Sequence, residues 1–451
     1  MNAIVLTFDR LPLSFLACYG NNWIETPNFD RLAAQSVCFH QHFAESLTLN
    51  TVRHAWWSGC YECRRQGDPR ASDLLPAALA ARGVTVRMLL EAGGTDDESS
   101  RDLSQLFPEW AQVVTGADGL DVAPDDTPFL RVVARAQRDL RLLRTSRREP
   151  WLLWIKSRGV PIPWLPPAEY ARLFLDVDVD DDEPTEAADD DDEIDVAETD
   201  DDFEEADKYE EPDDGTFLEM SDSQFNDLLR TAAELPPSRA LRDKMTDLDR
   251  ALARKVLGGY IALLDAAVGR LLDAIDQVAA GTPTLLLLTA AQGLTVHEPG
   301  VLRDELAQSA DEMVHTPLFV RGAGVDRGFR RQALTQPVDL YPTLFEWFGL
   351  ERPDTLLEGH SLLPAVRDGR AHPRQQAFAA DQRGLTTVRS ADHYLVQQSE
   401  PASEEPVRHL FAKPEDAWEV NDLAAQRPQV VDELLAEGDR FFGSASRVVE
   451  R

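Results

Sequence analysis

The chain has 451 residues and a formal net charge of −35, from 45 Lys+Arg against 80 Asp+Glu. Nothing in it forms the basic stripe of a nucleic-acid binder, and its apolar runs, such as Leu285–Leu288, fall far short of the roughly 18 residues a membrane helix needs. At about 150 residues per domain, the length suits up to three domains, or one large α/β domain with a small companion.

The N-terminus passes directly into Asn2–Phe8, closed by Asp9, without the basic region and cleavage site of a signal peptide. With four cysteines that need no pairing, the expected address is the cytoplasm. Cys60 and Cys63 have CxxC spacing, but no second pair completes a zinc site, so they read as incidental thiols.

Apolar runs of strand length alternate with helical patterns, the pattern of a layered α/β sheet. Strands are expected at Asn2–Phe8, Val84–Leu90, Trp151–Ile155, Pro283–Thr289 and Pro317–Arg321. Several are apolar on both faces and so suit a buried, mainly parallel sheet. Thr26-Pro27 opens a helix. The apolar face of Leu248–Val278 predicts a long one, ended by Gly281 and Pro283. Trp56-Trp57 and Trp151/Trp154 read as core. Beyond Gly369 come short segments, Ala377–Ala380, Thr386–Val388 and Tyr394–Gln397, expected as antiparallel strands before a helix over Pro428–Phe442. The reading is an α/β domain over residues 1–365 and a small α+β subdomain over 366–451.

The acid is concentrated. Between Asp176 and Asp214 lie 24 acids and one base, Lys208. Like charge at this density, with few apolar residues, predicts a disordered insertion rather than a packed element. It lacks the glycine and closing Glu of an EF-hand loop.

In an α/β sheet, ligands sit beyond the carboxyl ends of the strands. Asp9-Arg10 ends the first strand and Ala290-Ala-Gln-Gly293 ends a later one, so these tips are expected to meet. Here the chain resembles the sulfatase branch of the alkaline-phosphatase-like superfamily. Leu16-Ala-Cys-Tyr-Gly20 with Thr26-Pro-Asn-Phe-Asp-Arg-Leu-Ala33 is similar to the family's "GCYG…TPNLDRLA". Tyr260–Leu272 resembles its "YxAxVxxLDxxVGRLL" helix. His315–Gly322, Val338–Leu344, Glu358–Pro364 and Trp418–Ala424 resemble "VPLIVRGPG", "VDLxPTLL", "DGxSLLP" and "PxExxNLA".

The resemblance implies a formylglycine nucleophile made from Cys or Ser in "C/S-x-P-S-R…TG", beside a calcium ion held by carboxylates. A divalent ion would neutralise the ester oxygens and stabilise charge as the bond breaks, and hard cations want several oxygen ligands. In this chain the matching stretch is Leu49-Asn-Thr-Val-Arg53, followed by Ser58-Gly59. Arg53 sets the register and leaves Leu49, which has no nucleophilic atom, at the nucleophile position. The family's paired acids at the first strand end correspond to Asp9 and Arg10, and its later Asp-His or Asp-Asn pair to Ala291 and Gln292. Pro161-Ile-Pro163 stands for His-x-Pro, and the expected lysine has only Arg303 and Leu306 near its place. The calcium site is therefore expected to be lost and no cofactor is expected.

Two functions stay open. One is a non-catalytic sulfatase-like protein that binds a small anion through Arg53 and Arg10, or assembles with a protein partner. The other is a metal-independent sulfuric or phosphoric ester hydrolase using a hydroxyl near position 49. Thr48, Ser46 and Thr51 are the nearest hydroxyls, with His54 as a base. His297 falls where family members carry a substrate-site histidine, but a lone histidine in such a loop reads first as structural or exposed. Asp9 either pairs with Arg10 or Arg53 across the strand tips, or Arg10 points to solvent.

Overall fold

The computed structural model describes residues 1–64, 70–93, 103–145, 150–161, 164–174, 247–279, 281–294, 311–351, 357–381, 384–399 and 406–443. The acidic stretch 176–214, His297, Arg303 and Leu306 lie outside these residues.

The five apolar runs become strands, four of them carried beyond the expected C-terminal end and the fifth one residue shorter at its start. In chain order the first eight are β1 (Asn2–Arg10), β2 (Val37–His42), β3 (Thr85–Gly93), β4 (Ala111–Gly116), β5 (Trp151–Gly159), β6 (Thr284–Gln292), β7 (Leu318–Arg321) and β8 (Phe329–Thr335). They form one sheet in the order β4-β3-β5-β1-β6-β7-β2-β8. All pairings are parallel except those of β7, which runs antiparallel to both β6 and β2.

β1 lies at the centre and is covered on both sides, which is why its sequence shows no polar alternation. Ile4, Leu6 and Phe8 pack into a core with the helices Pro27–Ala34, Pro128–Thr145 and Asp247–Ala279. Ala3 and Val5 face a second core with the helices Leu49–Ser58, Leu75–Ala80 and Leu340–Trp347. Trp56, Trp57 and Trp154 are buried in that second core, where Trp57 meets Trp154 edge-to-face.

The C-terminal strands β9 (Ala377–Ala380), β10 (Leu385–Arg389), β11 (His393–Gln398) and β12 (Val407–Ala412) form an antiparallel sheet in the order β12-β11-β10-β9. The helix Pro428–Phe442 covers one face through Val431 and Leu434. Leu47, just before the helix Leu49–Ser58, packs on Leu385, Tyr394, Val396 and Phe411 of the other. A buried cluster adds a second link: Lys413 lies 3.4 Å from Asp311, and Glu419, 3.1 Å from Lys413, accepts from the Asp311 N–H at 2.7 Å. Among the described residues no helix is long and apolar enough to cross a membrane.

Candidate functional site

Parallel pairing brings the carboxyl ends of β5, β1 and β6 level. Phe8 stands opposite Ser157 and Ala290, and Arg10 opposite Gly159 and Gln292. Side chains alternate across a strand, so Asp9 projects on the side of Val5, toward the helix Leu49–Ser58. Lys156, in step with Leu152 and Trp154, projects to the same side. Arg10 falls on the opposite side.

This alternation decides the ionic partners. Arg53, reaching down from its helix, donates from Nε to Asp9 Oδ1 at 3.1 Å and from Nη2 to Asp9 Oδ2 at 2.6 Å. Its Nη1 donates to Asn50 Oδ1 at 2.9 Å. Lys156 Nζ lies 2.9 Å from Asp9 Oδ2. All three side chains are buried, with 1%, 2% and 6% exposure for Lys156, Arg53 and Asp9. Burial pushes the Asp9 carboxyl up, but the attraction of Lys156 and Arg53 outweighs it and holds the group below its ordinary range. Of the two pairings open in the sequence, the one with Arg53 forms. Among the described residues Arg10 makes no ion pair. It is half-buried, and its guanidinium is held below its ordinary pKa, chiefly by burial.

The other positions are equally defined. Leu49 begins the helix and packs at the edge of the second core. Thr48 precedes it, and its backbone N–H donates to Ser46 Oγ at 3.1 Å. His54 follows Arg53 by one residue and so projects about 100° away from it around the helix. Thr51 lies in the first turn. Ala291 is buried without a polar atom, and Gln292 Nε2 donates to the Leu47 carbonyl, tying the loop before the helix to the end of β6. Neither Cys60 nor Cys63 is in a disulfide, and burial pushes the Cys63 thiol up to about 12.

Lys156 is not legible as a site residue in the sequence, because it follows the end of the apolar run Trp151–Ile155. Its signal is parity with Trp154 in a strand that continues to Gly159. A second buried group was also missed. On the opposite side of the sheet, Glu91 of β3 accepts a hydrogen bond from Ser157 Oγ at 2.5 Å and from the Arg158 N–H at 3.1 Å. Arg158 in turn pairs with Asp118 at 2.8 Å, and Tyr260 donates its hydroxyl to the same carboxylate at 3.2 Å. Burial pushes Glu91 up to about 7, against the pull of Arg158.

On the side of the sheet that carries Asp9, the ends of β1, β5 and β6 thus offer, among the described residues, one carboxylate, already held by two cations. A calcium ion wants six to eight oxygen ligands. Among the described residues no group of three or more His, Cys, Asp or Glu is placed to hold a metal. These residues do not fit the ion.

Comparison with known proteins places this geometry. A family model described as Sulfatase matches residues 1–350. Human arylsulfatase H is 41% identical over 63 residues, which is 14% of this chain and 11% of that protein. Arylsulfatase K of Danio rerio is 24% identical over 213 residues, 44% of this chain and 40% of that one. The chain therefore spans well under half the length of these curated relatives. The solved phosphonate monoester hydrolase of Agrobacterium radiobacter superposes with a TM-score of 0.63 at 18% identity, covering 99% of this chain and 95% of that one. A structure solved in complex with its substrate D-glucosamine-2-N,6-O-disulfate superposes at 0.65 with 16% identity, covering 99% and 98%. At such identities these likenesses speak for the fold alone.

Proposed function

The chain belongs to the sulfatase family, and from that premise we propose that it acts by binding a small anion or a protein partner rather than by hydrolysing an ester. The observation that carries this reading is the state of the matched motif. Its nucleophile position is Leu49, and its arginine, Arg53, spends Nε, Nη1 and Nη2 on Asp9 and Asn50. A hydroxyl nucleophile needs a base or metal to activate it, and the hydroxyl nearest to Leu49 in sequence, that of Thr48, follows Ser46, whose oxygen is turned to the Thr48 backbone. Arg10 is the cation left to attract an anion at the strand ends, because it is half-buried and unpaired among the described residues.

The test pairs turnover with binding. Aryl sulfate and aryl phosphate esters, with and without calcium, magnesium or manganese, are expected to give no rate above a protein-free control. Sulfate or phosphate is expected to bind saturably in calorimetry at low salt. Arg10→Ala should weaken it roughly tenfold or more, since a hydrogen bond to a charged group contributes about 1.5–3 kcal/mol. Saturable turnover would overturn the reading. Its loss on Thr48→Val or His54→Ala would establish instead a metal-independent hydroxyl route.

A further inference from the structure

A buried carboxylate at the meeting point of three parallel strands must have a counter-charge, because an isolated ion in the interior is strongly unfavourable. Here that charge comes from the chain itself. The Arg53 guanidinium grips both Asp9 oxygens in a fork, and the Lys156 ammonium lies 2.9 Å from Oδ2. Among the described residues no further acid on that side forms an ion pair with either cation. Ala291 has no polar side-chain atom, and Gln292 donates toward the Leu47 carbonyl. Arg53 also has the neutral Asn50 oxygen.

We infer that Lys156, with Arg53, is a covalently tethered counter-cation for Asp9, so that the centre is built to be complete without a divalent ion. The reasoning is steric as well as electrostatic. The Asp9 oxygens are contacted by three nitrogens at 2.6–3.1 Å, and an incoming cation would have to displace an ammonium that cannot diffuse away. It would also meet two positive charges for one carboxylate. Lys156 can play this part because it is positioned by strand register. Its Cα pairs with Thr7, two residues before Asp9 on the same side of the sheet. The inference goes beyond the binding reading: it holds whether or not the protein turns over an ester.

The experiment is a double-mutant cycle on melting temperature, with a metal titration of the unaltered protein alongside. Lys156→Met keeps the Asp9–Arg53 fork and should lower the melting temperature only slightly. Asp9→Asn leaves two buried cations facing a neutral amide and should lower it by many degrees. The double variant, with one cation removed, should melt above Asp9→Asn alone. If the double variant melts no higher than Asp9→Asn, Lys156 is not the counter-cation. Should Asp9→Asn fail to fold, recovery of soluble protein in the double variant is the same readout. In the unaltered protein, millimolar calcium, magnesium or manganese should give no saturable thermal stabilisation beyond a matched salt control. Saturable stabilisation abolished by chelator would overturn the inference. Ester turnover that persists in chelator would sink the binding reading and leave this one intact.

Discussion

Glu91 provides the sharpest test of the electrostatics at the strand ends. The carboxyl is fully buried beside Ser157 and the Arg158 N–H, and burial lifts it from 4.5 to about 7. A raised carboxyl pKa means that the folded state holds the proton more tightly than the unfolded chain does. The folded state is therefore favoured by this group below about pH 4.5, and the advantage is lost as pH rises to about 7, after which it is flat. At about 1.4 kcal/mol per pH unit, the interval from 4.5 to about 7 corresponds to roughly 3 kcal/mol. Glu91→Gln keeps an oxygen to accept from Ser157 and Arg158 but never ionises, so it mimics the protonated acid. Urea denaturation of both proteins at pH 4.5 and pH 8 measures the effect. The stability of the variant relative to the parent should rise by about 3 kcal/mol between the two pH values. Parallel pH profiles for the two proteins would refute the reasoning, because they would mean that Glu91 carries no charge-dependent penalty in the folded state.

Two further outcomes follow from packing and pairing. Gly159 ends β5 with φ +64°, and a Cβ there would strike the Arg10 carbonyl oxygen. Gly159→Ala should therefore cost at least ~2 kcal/mol in denaturant titration, and a neutral result would show that the strand end adapts. Arg374 lies 2.6 Å from the fully buried Asp339 and donates to the Tyr61 hydroxyl oxygen. Arg374→Met leaves that carboxylate short of its cation and should destabilise by about 3–5 kcal/mol. A loss below about 1 kcal/mol would mean that the Gln336 and His360 N–H groups, each at 2.8 Å, suffice.

The layered α/β architecture was legible because burial on both sides writes itself into composition. β1, β5 and β6 are apolar without alternation, and the helix Asp247–Ala279 shows its face through residues such as Tyr260, Leu264 and Leu271. Local patterns also found β9, β10, β11 and the final helix within one residue at each end. The weaker strands β2, β4 and β8 escaped notice because they carry polar or exposed residues, as in Phe329-Arg-Arg-Gln. Hydrophobic periodicity cannot reveal an element whose stability comes from its neighbours' hydrogen bonds.

The site divides in the same way. Sequence by itself determined the chemistry of single positions, since Leu49, Ala291 and Gln292 carry neither a carboxylate nor a nucleophilic group wherever the fold puts them. It also brought Asp9 and Arg53 forward as candidates for one cluster. Only the tertiary structure decided which cation answers Asp9. Alternation along β1 sends Arg10 to the other side of the sheet, while parallel register with β5 delivers Lys156 from about 150 residues away. A charge balance of this kind depends on which atoms lie within about 3 Å in a low-dielectric interior. That distance is set by the pairing of strands remote in sequence, and no local pattern of residues encodes it.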